Sequence, residues 1–191
     1  MKETIKLGLI LFIITAVSAA VLAVSNNVTA PVIAELDRKA SFGALLEIFP
    51  EADDFQPIDE GKLAEIQADN TFIVEVNQAL KGEELLGYSI KTKSGGYGGD
   101  MFSIFGFSMD GTITGAKVVQ HSETPGLGSR VEGEDFTKSF VGKSSANEIV
   151  AVGAPSADNE VLLLSGATVS TDGVLYGVNG AREAFINFLA K

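Results

Sequence analysis

The chain contains no cysteine and only one histidine, His121. Without thiols its 191 residues can form no disulfide framework, ligate no Fe–S cluster and perform no thiol chemistry. A single histidine also excludes a multi-histidine metal site within one copy. Any redox chemistry must therefore use a bound organic cofactor or a metal held by another chain.

Basic residues are also scarce, with 14 Lys and Arg against 25 Asp and Glu and a net charge of −11. An acidic surface lacks the Lys and Arg patches that nucleic acid requires, so no nucleic-acid partner is expected. The same charge disfavours adsorption to anionic lipid head groups. With 46% hydrophobic residues, the chain is long enough to bury the core of one ordinary domain.

A long apolar stretch near the start of the sequence predicts a membrane segment. Residues 7–24 carry no charge, and at about 1.5 Å rise per residue they just cross a thin bilayer. The alternative is a cleaved secretory signal, for which residues 21–23 would serve as the cleavage site. The apolar stretch exceeds the 7–15 residues typical of a signal, which favours a retained anchor.

Charges on the two sides of this segment predict its orientation. Lys2 and Lys6 precede it, whereas Glu35 and Asp37 follow it. This asymmetry places the N-terminus in the cytoplasm and the remainder outside. We therefore expect residues 1–30 to form a single-pass anchor in the cell membrane and residues 31–191 to form an extracytoplasmic domain.

Hydrophobic periodicity predicts an α+β domain with an antiparallel sheet and flanking helices. The remaining segments are an acidic surface loop over residues 51–69, a short helix over 134–141 and a possible strand over 148–152. The predicted regular elements are a helix from residue 31 to Pro50, strands at 71–76 and 85–90, a hairpin of 101–107 with 112–120, and a final helix with the apolar stripe Val174, Val178, Ala181, Phe185 and Phe188.

Three loops rich in small residues are candidates for a binding site. The glycine loop, residues 94–100, places four glycines around Tyr97, which permits close backbone approach to a ligand and stacking on a planar ring. The proline turn, residues 121–128, reads His-Ser-Glu-Thr-Pro-Gly-Leu-Gly. Each also has a purely structural interpretation: a flexible hairpin loop for the first, and a turn with a solvent-facing histidine for the second.

The third loop is the small-residue turn Ser-Gly-Ala-Thr at residues 165–168, which lies just before the final helix. It leaves the Thr168 hydroxyl open to modification beside a helix N-terminus, where unpaired N–H groups favour phosphate. An ordinary N-cap turn explains the same residues.

Taken together and in this order behind one anchor, the three loops resemble the covalent-FMN-binding domain family. The resemblance covers the chain from the anchor to the final helix. It is to the G subunits of Rnf-type ion-translocating ferredoxin:NAD oxidoreductases of bacteria and archaea. The related C subunit of the sodium-pumping NADH:quinone reductase is usually longer.

The resemblance implies an FMN whose phosphate is esterified to Thr168 by a separate flavin transferase that uses FAD outside the cytoplasm. Ser170 or Thr171 is then the expected cap of the final helix. No residue is expected to be catalytic and no metal site is expected. The implied cofactor-binding residues are Thr168, Ser165, Gly166, Ala167, Glu123, Thr124, Leu127, Gly128, Tyr97 and Thr171.

The implied function is electron relay within an Rnf-type, redox-driven ion-translocating complex, without independent substrate turnover. The expected partners are the other Rnf subunits, among them Fe–S subunits and a second membrane subunit with covalent FMN. Two alternatives stay open: a component like the C subunit of the sodium-pumping quinone reductase, and an anchored extracytoplasmic binding module with no redox role.

Overall fold

The computed structural model describes residues 2–190, without the side chains of Ala34 and Asp37. The chain divides into two compact units, one ending at Lys39 and the other beginning at Ala40. The side chain of Asp37, whose charge contributes to the predicted orientation, lies outside the described part of the chain.

Helix α1 runs over Lys2–Ile48 and contains Pro31. Among the helices of residues 2–190 it alone is long and apolar enough to cross a membrane. Its apolar side chains between Ile5 and Val24 are exposed, as expected of a helix that faces lipid. The predicted anchor helix is therefore present, by length and composition.

A five-stranded antiparallel meander forms the centre of the second unit, with the strands paired in sequence order. The predicted Asp-Gly turn closes the last hairpin, where Gly111 has a φ of +83°, a conformation that favours glycine. The strands are β1 (Asp54–Pro57), β2 (Ile73–Lys81), β3 (Glu84–Gly95), β4 (Asp100–Ser108) and β5 (Ile113–Gln120).

The expected loop over residues 51–69 is wrong, because it contains strand β1 and helix α2 (Glu60–Asp69). Strand β1 lies at the sheet edge and is mostly exposed, so it carries no apolar alternation. Helix α2 begins at Asp59, whose side chain accepts from the amides of Gly61 and Lys62, and only Ile66 on it is fully buried. Both elements are specified by pairing and capping rather than by hydrophobic periodicity.

The two faces of the sheet are covered by different helices. On one face, Phe105 and Phe107 belong to the main core with the C-terminal helix, while on the other Ile104 packs in a cluster with Leu45 and Ile48 from the end of α1. Gly106 is required on that second face, since an added Cβ would lie 2.2 Å from Cγ2 of Ile48.

The C-terminal part supplies three further short elements and the principal helix. Helix α3 (Glu134–Lys138) and the parallel pair β6 (Val150–Val152) and β7 (Glu160–Leu162) precede helix α4 (Thr168–Ala184), which continues as a π-helical turn over Phe185–Leu189. The predicted apolar stripe is buried at Val174, Val178, Ala181 and Phe185, and Phe188 is partly buried beside it.

A glycine at the start of α4 brings this helix against the glycine loop. A Cβ on Gly173 would lie 2.5 Å from the carbonyl oxygen of Gly95, so no larger residue fits at that crossing. The first turn of α4 is thereby held next to the end of β3.

Candidate functional site

The glycine loop, the proline turn and the small-residue turn meet around one cleft of about 470 Å³. The volume is within the range of small-molecule sites. The cleft is lined by Tyr97, Glu123, Thr124, Leu127, Gly128, Gly166, Ala167, Thr168, Val169 and Ser170.

The buried carboxylate of Glu123 connects the loops. One carboxylate oxygen accepts from the amide of Gly98 at 2.9 Å, and the other accepts from the Ser170 hydroxyl at 2.5 Å. Glu123 is only 6% exposed, and Ser170 is 2% exposed. A single side chain of the proline turn is therefore bonded both to the glycine loop and to the first turn of α4.

Glycines of the glycine loop and of the proline turn leave space for the Glu123 carboxylate. A Cβ on Gly96 would lie 2.2 Å from Oε1 of Glu123, and one on Gly128 would lie 2.2 Å from Oε2. A Cβ on Gly98 would similarly meet the Ser122 carbonyl oxygen at 2.0 Å. The close backbone approach that the glycines permit is thus to the proline turn itself.

Glu123 is held in its charged form. Burial by itself raises the pKa of this carboxyl, but the hydrogen bonds from Ser170 and from the amides of Gly98 and Tyr97 favour the carboxylate. The net pKa of Glu123 lies below its ordinary value. The cleft therefore carries a negative charge at neutral pH.

His121 fixes the start of the proline turn. Its Nδ1 accepts from the amide of Glu123 at 3.1 Å, and its Nε2 lies 3.3 Å from a carboxylate oxygen of Glu132. The first contact requires Nδ1 to be unprotonated, so in this arrangement Nε2 carries the proton and faces Glu132. The side chain is only 14% exposed, so the interpretation as a solvent-facing histidine is wrong.

The small-residue turn is held by a positive-φ glycine and by an arginine. Gly166 has a φ of +79°, and the amide of Ala167 donates to the Leu164 carbonyl at 2.9 Å, which closes the turn. Nη1 of Arg130 donates to the Ser165 carbonyl at 3.0 Å. Arg130 belongs to a short 3₁₀ helix, Gly128–Glu132, that follows the proline turn.

Helix α4 begins directly at Thr168, and the expected capping by Ser170 or Thr171 is wrong. Both residues lie inside the first turn, where Ser170 bonds Glu123 and the Thr171 hydroxyl donates back to the Ala167 carbonyl at 3.0 Å. Ala167 occupies the N-cap position and offers no side-chain acceptor. Within residues 2–190, the amides of the three residues 168–170 have no protein acceptor, so they are available to an anion.

The hydroxyls around this helix start differ in accessibility. Those of Ser170 and Thr171 are buried and engaged, whereas Thr168 is exposed and its hydroxyl forms no hydrogen bond with the described part of the chain. Ser165 is the other exposed hydroxyl residue of the turn. Thr168 is the one that combines exposure with a position at the helix N-terminus.

All of the expected cofactor-binding residues except Ser165 and Thr171 line the cleft. Tyr97, Leu127 and Val169 line the cleft and are each more than half exposed, so the cleft has an apolar rim. Sequence reasoning missed Val169 and Ser170 on the cleft wall and Arg130 at the turn. Ser170 was predicted only as a possible helix cap, because its partner Glu123 lies 47 residues away and gives no local signal.

The chain is similar to a class of proteins that contain an FMN-binding domain. A family model described as an FMN-binding domain matches residues 96–183, which include the proline turn, the small-residue turn and residues 96–100 of the glycine loop. The structure of the C subunit of the Na+-translocating NADH-quinone reductase from Parabacteroides distasonis superposes with a TM-score of 0.58 at 21% identity, covering 73% of this chain and 79% of that chain. At that identity the likeness shows the shared fold alone.

Full-length relatives identify the particular family. The G subunit of the Na+-translocating ferredoxin:NAD+ oxidoreductase complex of Acetobacterium woodii is 34% identical over 97% of this chain and 93% of that protein. The G subunit of the ion-translocating oxidoreductase complex of Methanosarcina acetivorans is 30% identical over 95% of this chain and 94% of that protein. The chain belongs to this family of G subunits.

Proposed function

We propose that this protein relays electrons through an FMN joined to Thr168 by a phosphoester. The observation that carries the proposal is the state of the Thr168 hydroxyl, which is exposed and unengaged at an uncapped helix N-terminus. The neighbouring hydroxyls of Ser170 and Thr171 are already buried and bonded. Position 168 is also the threonine that the family resemblance singles out.

The residues present fit both ends of a flavin nucleotide. The amides at the start of α4 match a phosphate, because the positive end of the helix dipole favours an anion. The apolar rim of Tyr97, Leu127 and Val169 matches an aromatic ring system. A bound flavin would supply the electron transfer, which the cysteine-free chain itself cannot perform.

The modification is a phosphoryl transfer in which Thr168 is the acceptor. Its hydroxyl oxygen would form a bond to the flavin-side phosphorus of FAD as the pyrophosphate P–O bond breaks. AMP would leave with the bonding electron pair, and the hydroxyl proton would pass to a base of the transferase. No oxidant is consumed, and the chain gains one FMN less the elements of water.

A covalent tether suits an electron carrier that works outside the cytoplasm, because the cofactor cannot be lost to the medium. We place residues 1–30 in the cell membrane and residues 31–191 outside it, in agreement with the lysines before the apolar segment. The electron donors and acceptors would be cofactors of other subunits, including Fe–S subunits and a second membrane subunit with covalent FMN. In this proposal the complex is of the Rnf ferredoxin:NAD type named for the relative from A. woodii.

The test is flavin attachment in the native host. Wild-type chain on a denaturing gel should fluoresce under ultraviolet light and show the mass of one attached FMN. Thr168→Ala should lose both signals, while Ser165→Ala, which removes the other exposed hydroxyl of the turn, should retain both. Ser170→Ala should also retain the flavin.

A dark wild-type band without the added mass would refute the proposal and favour an anchored binding module with no redox role. Loss of the flavin in Ser165→Ala or Ser170→Ala, but not in Thr168→Ala, would move the attachment to that residue. Turnover of ferredoxin or NADH by the purified flavinylated chain alone would contradict the role of a pure relay.

A further inference from the structure

We infer that Arg130 is the phosphate-binding cation of this site, an inference that rests on attachment at Thr168. A phosphodiester at that position adds one negative charge to a region that already contains the ionised, buried Glu123. The whole chain carries a net charge of −11, so no general excess of positive charge offsets this addition. A cation beside the turn would offset this charge locally, in addition to the amides at the start of α4.

The 3₁₀ helix Gly128–Glu132 brings Arg130 to this turn. At its beginning Gly128 lies against the first turn of α4, so close that a Cβ there would be 2.7 Å from the Ser170 hydroxyl oxygen. Two residues later, Arg130 reaches the carbonyl of Ser165 at 3.0 Å. The same short helix thus touches the chain on both sides of Thr168.

The guanidinium of Arg130 retains most of its bonding capacity. It has five N–H donors, and the described contacts engage one nitrogen, Nη1, with a carbonyl. Within residues 2–190 it forms no ion pair, in contrast to Lys138, whose Nζ lies 2.5 Å from a carboxylate oxygen of Glu134. A planar guanidinium fixed at one edge is well suited to bind two phosphate oxygens with the other.

These contacts assign separate roles to the groups around the phosphate. The amides of residues 168–170 and the guanidinium of Arg130 hold the phosphate, and the hydroxyl of Thr168 is the linkage point. Arg130 positions the phosphoryl group during attachment and balances its charge afterwards.

The experiment compares the rate of FMN attachment in full-length Arg130→Gln, Arg130→Lys and Lys138→Gln, each incubated with the native flavin transferase and FAD and followed by intact mass. Arg130→Gln should load roughly tenfold more slowly, as expected for loss of a charged hydrogen bond. Arg130→Lys should fall between the glutamine variant and wild type, since it keeps the charge without the planar fork. Lys138→Gln removes an equal charge one helix further along and should load at the wild-type rate.

A second readout separates phosphate binding from recognition by the transferase. The ³¹P resonance of fully loaded Arg130→Gln should be displaced from that of the wild type, while Lys138→Gln leaves it in place. Equal loading rates, or slow loading followed by a wild-type ³¹P resonance, would overturn the role of Arg130. A wild-type chain that gains no FMN would overturn the attachment and this role together, whereas normal wild-type loading with an indifferent Arg130→Gln overturns this role alone.

Discussion

Replacing Glu123 with glutamine should loosen the three loops of the site without leaving a cavity. The amide oxygen of glutamine can still accept from Gly98, but the charge is lost and the amide nitrogen cannot accept from Ser170 as the carboxylate does. Hydrogen bonds to charged groups contribute about 1.5–3 kcal/mol and neutral ones about 0.5–1.5 kcal/mol. Because the Gly98 side of the contact is partly solvated, we expect Glu123→Gln to cost about 1–2 kcal/mol of unfolding free energy.

The effect should depend on pH in a defined direction. The folded-state pKa of Glu123 is lowered from an ordinary value of 4.5, so the unfolded state binds the proton more readily. The stabilisation by the carboxylate is therefore complete above about pH 4.5 and is lost as the pH falls through the lower folded-state pKa. The difference in stability between wild type and Glu123→Gln should shrink on acidification.

Thermal unfolding of the detergent-solubilised full chain, followed by circular dichroism, measures this difference. For a domain of this size a loss of 1–2 kcal/mol lowers Tm by roughly 2–8 °C. Glu132→Gln is the matched control, since that exposed carboxylate contacts only the Nε2 side of His121 and should change stability by less than about 0.5 kcal/mol. A Glu123→Gln chain as stable as wild type near neutral pH, or a difference that stays constant on acidification, would refute the reasoning.

Two further substitutions test the contact of Gly128 with Glu123 and the packing of Ile48 over Gly106. Gly128→Ala places a Cβ 2.2 Å from a carboxylate oxygen of Glu123. It should therefore lower the free energy of unfolding by about 1–3 kcal/mol and reduce flavin attachment. A variant with both the wild-type Tm and the wild-type in-gel fluorescence would contradict this. Ile48→Ala removes a buried side chain that packs over Gly106 and should cost about 2–4 kcal/mol in the same unfolding assay. The exposed Leu46→Ala should change it by less than about 0.5 kcal/mol, and equal losses in the two variants would show that the end of α1 is not anchored as described.

The parts of the fold that the sequence predicted are those with strong hydrophobic periodicity. The hairpin of β4 and β5 combines apolar strands with an Asp-Gly turn, and the stripe from Val174 to Phe185 has clear helical spacing. Strand β1 and helix α2 were not predicted because their surfaces are mostly polar and exposed. Their positions depend on strand pairing and on the cap at Asp59, which local patterns reveal poorly.

The residues of the candidate site could be predicted in part for a different reason. The three loops could be grouped by their order in a family resemblance, and the structure brings them to one cleft. The contacts that join them, however, link residues far apart in sequence: 47 positions separate Glu123 from Ser170, and 35 separate Arg130 from Ser165. No periodicity or local motif encodes such pairs, so the contacts of Ser170 and Arg130 could be identified only from the structure.

The glycines of this site contribute to the packing of its loops. Gly96 and Gly128 leave space for the Glu123 carboxylate, which accepts hydrogen bonds from the Gly98 amide and the Ser170 hydroxyl. Under the proposed attachment, a transferase would act on an exposed Thr168 in a turn that these contacts hold in place. Architecture and attachment can consequently be separated: loss of the Thr168 hydroxyl should abolish the flavin at unchanged stability, whereas damage around Glu123 should lower stability and flavin attachment together.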